Sequence, residues 1–258
     1  MIRWLLAIAL VFLPGVVRAG PPDLSDYRWV QHPGAQLPSQ ATFHDETGRQ
    51  VRLATLQHGL PMILVFGYYH CPNLCGLVRA TLLSAIGATP LVAGRDYSLA
   101  VISIDPRETS SDARDAKAAD LAAFPLPGAA HDFHYLTGDQ HALDTLTDAV
   151  GYQGHFDAAL KQFIHPTGLV VATPGGAVSS YLLGLGYHPG DLRVALAQAN
   201  QGTIKAAVFP VLLLCFHYDA TTGRYTLSIL KLVKLAAALT VVTVAAFGFL
   251  LFRREHRT

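Results

Sequence analysis

The sequence predicts an α/β fold: a mixed central sheet with flanking helices, followed by a C-terminal transmembrane helix. Three observations predict it. Two uninterrupted apolar runs, Met62–Tyr69 and Tyr97–Ile104, read as strands buried on both faces. Segments with helical spacing follow each run, as the β–α alternation of a layered sheet requires. Further on, Gly168–Thr173 and Ala177–Leu183 are joined by Pro174-Gly175-Gly176, a hairpin that adds an antiparallel pair.

The elements follow in order. Arg3 precedes an apolar run from Trp4 to Leu13, and Val17-Arg18-Ala19 supplies a cleavage site, so residues 1–19 read as a secretory signal peptide. Residues 20–37, with Pro21, Pro22, Pro33 and Gly34, form an irregular lead-in. Ala41–His44 and Gln50–Leu53 flank Asp45-Glu46-Thr47-Gly48, a hairpin with a glycine turn. After the first core strand, Leu77–Ile86 has helical spacing. Asp105-Pro106 closes the second core strand, and Ser110–Ala123 opens on Ser and Asp as a helix does. Asp132–Leu136 is a short strand, Gln140–Val150 a helix, and Pro189–Asn200 a last helix. These elements occupy a domain of residues 38–203. Residues 204–234 form a membrane-proximal extension, in which Asp219 to Tyr225 reads as a turn between apolar segments.

Residues 235–252 carry no charged side chain and suffice for a tilted transmembrane helix. The basic tail 253–258 suits the cytoplasmic side. Together the two ends predict a single-pass protein of the bacterial inner membrane, with its domain in the oxidising periplasm.

Composition excludes several classes. The 258 residues are 51% hydrophobic and only 14% charged, which no disordered chain matches. Lys+Arg number 19 against 18 Asp+Glu, leaving no electrostatic footprint for nucleic acid. Three cysteines are too few for a disulfide-built mini-protein, so each needs its own account.

Two of them form Cys71-Pro72-Asn73-Leu74-Cys75, between the first core strand and its helix. Cysteines at i and i+4 share one helix face, and the positive end of the helix dipole favours thiolate there. Such a pair either holds a soft metal ion or oxidises to a disulfide. An inert staple is the blander alternative, but it would more often join distant segments.

Gly67-Tyr68-Tyr69-His70-Cys71-Pro72-Asn73-Leu74-Cys75 resembles the signature of the SCO/SenC proteins. Ser103-Ile104-Asp105-Pro106 with Arg107 and Glu108 resembles that family's strand-end motif. Ile164-His165-Pro166-Thr167-Gly168-Leu169-Val170-Val171 resembles its histidine segment. The likeness covers roughly residues 38–200. It implies a thioredoxin-like, membrane-tethered copper protein that assists assembly of cytochrome c oxidase. It also implies Cys71, Cys75 and His165 as ligands of Cu(I) or Cu(II), and Asp105 stands as a candidate beside the metal or as a plain turn residue. The implied partners are the oxidase's copper-site subunit and a periplasmic copper donor or thiol reductant. A thiol–disulfide oxidoreductase acting through Cys71 and Cys75 is the alternative. The chain departs from the pattern at Asn73, where Asp is usual, at Ile164, where an acidic residue is usual, and in its C-terminal anchor.

Other histidines read more plainly. His70 adjoins Cys71, but neighbouring side chains in a turn diverge. His131, His134, His141 and His155 read as solvated surface, and His188 before Pro189 as a helix-entry residue. Cys215, near His217, reads as an apolar free thiol close to the membrane, with a Cys215/His217 metal site the weaker alternative.

Overall fold

The computed structural model describes residues 28–207 except 73, 159 and 160, the backbone of 216–219 and 224–227, and Ala237, Leu239, Thr240 and Thr243. The expected signal peptide, Cys215 and most of the expected spanning helix lie outside the described residues. Ala237, Leu239, Thr240 and Thr243 are helical, and Thr243 Oγ1 donates to the Leu239 carbonyl at 2.8 Å. Among the described residues no helix is long and apolar enough to cross a membrane.

The chain runs β1 (Thr42–His44), β2 (Gln50–Arg52), α1 (Leu53–Gln57), β3 (Met62–Gly67), α2 (Cys75–Gly87) and β4 (Ser98–Ser103). It continues with α3 (Ser110–Ala123), α4 (Ala129–Asp132), β5 (Phe133–Leu136), α5 (Gln140–Val150), β6 (His155–Asp157) and β7 (Gln162–Ile164). The domain ends with β8 (Gly168–Ala172), β9 (Val178–Leu183) and α6 (Pro189–Asn200). The main sheet has the order β5-β4-β3-β8-β9. β3, β4 and β5 are parallel, while β8 runs antiparallel to β3 and to β9. This is the expected mixed α/β sheet with flanking helices, of thioredoxin-like architecture.

Strand alternation sorts the core into two layers. Ile63 and Val65 of β3 join Leu99, Val101, Leu169 and Val171 on one face, under Val78, Leu82 and Ile86 of α2 and Leu192 and Leu196 of α6. Met62, Leu64 and Phe66 join Ala100, Ile102 and Val170 on the other, under Leu143 and Leu146 of α5. Every residue of β3, β4 and β8 is buried, which is why these strands read as unbroken apolar runs.

The structure adds pieces that periodicity did not reveal. α1, α4 and the β6–β7 hairpin are three to five residues long, too short to show a period. The lead-in is irregular yet docked: Val30 N–H donates to the Gly151 carbonyl, and Gly34 and Leu37 N–H donate to Val178 and Gly176. Trp29 anchors it edge-on to Tyr152, with ring centroids 4.8 Å apart. In the extension, β10 (Phe216–Asp219) pairs antiparallel with β11 (Arg224–Leu227), so a hairpin occupies the expected turn region.

Candidate metal centre

Three backbone junctions bring the candidate residues together. β3 ends at Gly67, and Tyr68 and Tyr69 lead into the cysteine turn. α2 starts only at Cys75, with Leu74 as its cap. Cys71 therefore precedes the helix, and the expected placement of both cysteines on one helix face is corrected: only Cys75 is helical. β7 delivers His165 at the opposite side, one residue after Ile164. Because β8 is antiparallel to β3, the start of β8 meets the end of β3, and the histidine arrives beside the cysteine turn.

Cys75 Sγ lies 3.4 Å from His165 Nε2. His165 Nδ1 is 3.1 Å from the Pro166 carbonyl, which can only accept, so Nδ1 carries the proton. Nε2 then presents its lone pair to the thiol, and Cys75 S–H is the donor. Burial lowers the imidazole's pKa and outweighs the raising effect of the Pro166 carbonyl, which keeps His165 neutral. A neutral imidazole is the metal-binding form.

Neither Cys71 nor Cys75 is in a disulfide. Cys71 is half-buried and Cys75 is 4% exposed. The Cys75 thiol is pushed up to about 12, first by burial and then by a hydrogen bond with Cys71. The helix N-terminus was expected to favour thiolate at this position; desolvation overrides it. Close packing supports the seat, since a Cβ on Gly67 would lie 3.3 Å from Cys75 Cβ and 3.4 Å from its Sγ. Likewise a Cβ on Gly154 would lie 2.8 Å from His165 Cβ, so the hairpin can pass this close only with glycine there.

Tyr68 and Tyr152 flank the imidazole, with ring centroids 6.1 and 5.9 Å away. Phe163 of β7 packs on Tyr68 at 5.5 Å. A cleft of about 490 Å³ opens beside them, between α5 and the β6–β7 hairpin, with Tyr152, Phe156 and Phe163 in its wall. Phe156 is 39% exposed, and Leu74 and Leu77 beside Cys75 are exposed as well.

The cysteine turn is held by a residue whose role the sequence did not reveal. Glu108 is buried and accepts from Tyr69 N–H at 2.8 Å, His70 N–H at 2.7 Å and Ser103 Oγ at 2.5 Å. Its partners are mostly backbone donors, which carry no side-chain signature. His70 Nδ1 also lies 3.1 Å from Glu108, and its Nε2 lies 3.5 Å from Asp112, so its ring turns outward from the thiols.

Asp105, the candidate at the end of the second core strand, pairs with its neighbour Arg107. Its carboxylate takes Arg107 Nε at 2.8 Å and Nη2 at 2.7 Å. Burial acts to raise its pKa, but the Arg107 hydrogen bond and charge win and hold it below the usual range. Arg107 in turn lies over the Phe156 ring at 4.7 Å. Asp105 thus reaches the histidine hairpin through Arg107.

The remaining histidines divide. His131, His141 and His155 are exposed, but His134 is buried on β5, and burial lowers its pKa; its expected surface placement is corrected. His188 caps α6 by accepting from Gly190 N–H at 3.2 Å. As placed, no three Cys, His, Asp or Glu side chains among the described residues are arranged to hold a metal ion. Cys75 and His165 are in contact, and Cys71 lies within hydrogen-bonding reach of Cys75.

Comparison with known proteins supplies the family. A putative electron transfer protein from Aquifex aeolicus is 25% identical, with a TM-score of 0.58 over 65% of this chain and 94% of its own. BsSco, described as a member of the Sco family of cytochrome c oxidase assembly proteins with a disulfide switch, is 17% identical, with a TM-score of 0.50 over 67% of this chain and 98% of its own. ScoI of Arabidopsis thaliana, solved with copper bound, is 18% identical, with a TM-score of 0.48 over 67% of this chain and 99% of its own. Among curated proteins no match was found. The SCO1/SenC family model matches residues 31–190, which span both cysteines, the Asp105–Glu108 turn and His165, and the chain belongs to the SCO1/SenC family.

Proposed function

We propose that the chain is a membrane-anchored periplasmic copper chaperone that binds copper through Cys71, Cys75 and His165 and helps load the copper site of a cytochrome c oxidase. One observation carries the reading: a neutral imidazole meets a buried thiol at 3.4 Å across ninety residues of sequence, with a second thiol in hydrogen-bonding reach. Two thiolates and an imidazole suit Cu(I), and hard oxygen-seeking ions do not match that set. Copper is the cargo here. The chain's own part is to hold three donors, shed the thiol protons as the ion binds, and seat Cys71 last. The exposed Leu74, Leu77 and Phe156 offer an apolar rim on which the oxidase subunit docks.

The signal peptide and the charge-free stretch 235–252 support the anchor and the periplasmic side. Full-length protein is expected to stay with membranes through a carbonate wash; its release there removes the anchor. Copper binding is tested by titrating the reduced chain. One copper ion is expected per chain, lost in the Cys71→Ser/Cys75→Ser double variant. Unchanged stoichiometry in that variant removes the site.

A second reading is favoured by the contact between the two thiols. Cys71 thiolate attacks a client disulfide, and Cys75 then displaces the client sulfur. Two electrons and two protons pass to the client, and a Cys71–Cys75 disulfide forms. The imidazole separates the readings. His165→Ala is expected to lower oxidase activity as far as the cysteine variants do, in membranes of a deletion strain at low copper. Wild-type activity there favours the oxidoreductase.

A further inference from the structure

The histidine reaches the site on a hairpin too small to hold itself in place. β6 and β7 have three residues each and form a two-stranded sheet of their own. Such a ribbon is marginal in water unless something packs on it. One leg of the hairpin, residues 151–154, runs into β6, and the other, residues 165–168, runs out of β7. His165 opens the second leg and faces Gly154 at the end of the first.

Trp29 touches both legs. Its backbone bridges Tyr152 in antiparallel fashion, with Val30 N–H donating to the Gly151 carbonyl at 2.7 Å and Gln153 N–H to the Arg28 carbonyl at 3.0 Å. Its indole crosses to the other leg, where Nε1–H donates to the Thr167 carbonyl at 3.2 Å. The approach is close, since a Cβ on Gly168 would lie 3.1 Å from Nε1. The indole also meets the Tyr152 ring edge-on at 4.8 Å, and the Tyr152 ring lies 5.9 Å from the imidazole. Docking the lead-in does not require all of this. Any large ring set against Phe66, Tyr152 and Tyr181 would dock the segment. An indole adds an N–H that can only donate, and here it is directed at the carbonyl two residues beyond His165.

We propose that Trp29 is a positioning residue for His165: it fastens the two legs of the hairpin at their root and so holds the imidazole in reach of Cys75. It acts on a bound ion only through the ligand, as groups that orient a ligand do. The inference rests on the copper reading for its purpose, and one arm of its test needs no metal.

The test is a double-variant cycle in the reduced full-length chain. Copper(I) affinity, set against a chromophoric chelator, is measured for Trp29→Ala and Trp29→Phe, each with His165 present and with His165→Ala. The ring nitrogen-15 shifts of His165 are recorded without metal. Trp29→Ala is expected to lower affinity about tenfold where His165 is present and not at all beside His165→Ala. Trp29→Phe keeps a ring and loses the N–H, and is expected to lower affinity several-fold with the same dependence on His165; it carries the cycle if the alanine variant does not fold. In Trp29→Ala the His165 shifts are expected to move from those of a single Nδ1-protonated form toward the mixed form of a free imidazole. Wild-type affinity in both variants overturns the fastening and leaves the copper reading standing. An equal loss with and without His165 also overturns it, since Trp29 then supports the fold at large. Moved shifts in a chain that binds no copper uphold the fastening and remove the copper reading.

Discussion

The two walls of the site are built differently. The cysteine turn grows from the centre of the main sheet, where β3 is paired on both sides and buried along its length. Glu108 clamps it with a buried carboxyl group that receives two backbone N–H groups and a hydroxyl. The histidine wall is a pair of three-residue strands outside the main sheet. Ring contacts and one guanidinium hold it: Phe156 on Phe163 at 5.3 Å, Phe163 on Tyr68, and Arg107 over Phe156. Hydrogen bonds to one buried carboxylate fix the first wall, and ring and cation–π contacts tie the second to its neighbours. The cysteine turn is therefore expected to be the stiffer jaw and the hairpin the more compliant one, a division that would suit the copper reading.

The largest effect expected from this contrast lies within the fixed wall. With its thiol pushed up from 9.0 to about 12 and little exposed surface, Cys75 should alkylate roughly a thousandfold more slowly than an ordinary cysteine at about pH 8. Cys71 should react first by a wide margin, as mass mapping of partly labelled protein would reveal. Equal labelling of the two breaks the picture of a closed, dry seat.

Next comes the clamp. Glu108→Ala strands the Tyr69 and His70 N–H groups and the buried Ser103 hydroxyl, and is expected to cost about 3 kcal/mol of stability in denaturant unfolding. Glu108→Gln keeps an acceptor and should cost less. A loss below about 1 kcal/mol for the alanine variant would mean that the turn is held elsewhere.

Arg107→Ala should cost little overall stability, since its side chain is largely exposed and the loss is a cation–π contact near the surface. Its signature is local: faster amide exchange at 155–164 and unchanged exchange in β3. Uniform acceleration across both walls erases the distinction between them.

The smallest effect is in acid. Asp105 has a depressed pKa in the folded chain, so its stabilising contribution is present above the unfolded value near 3.8 and is lost as pH falls through the folded one. The Arg107 contact should loosen in that range, and hairpin exchange should rise there. Asp105→Asn removes this pH dependence; an identical acid profile in that variant places the lability elsewhere.

How much of this the sequence announces follows from length and partner type. β3, β4, β8 and the four long helices, α2, α3, α5 and α6, appear where their patterns predict, because five or six buried residues in a row or three helical turns leave an unmistakable trace. The convergence of Cys75 and His165 is legible too, since strand ends preceding and following such runs share one edge of the sheet. The β6–β7 hairpin was not legible: His155–Asp157 and Gln162–Ile164 are too short to alternate visibly. Glu108 sat in a recognised motif without a role, because the groups it binds are backbone. His134 was misplaced at the surface because a four-residue strand does not declare that both faces are covered. The thiol of Cys75 was misjudged for an energetic reason, as burial outweighs the helix terminus.

The ninety-position separation of Cys75 and His165 in the sequence also sets an order of events. A chain made from its N-terminus exposes both cysteines long before the imidazole exists, and β8 must then find β3 by closing a long loop. Until that strand docks, the cysteines are a bare dithiol with no more selectivity than any unfolded peptide. On the copper reading, discrimination among ions is thus a late acquisition of the molecule, and anything that oxidises the pair early acts on a chain that has not yet become a binding protein.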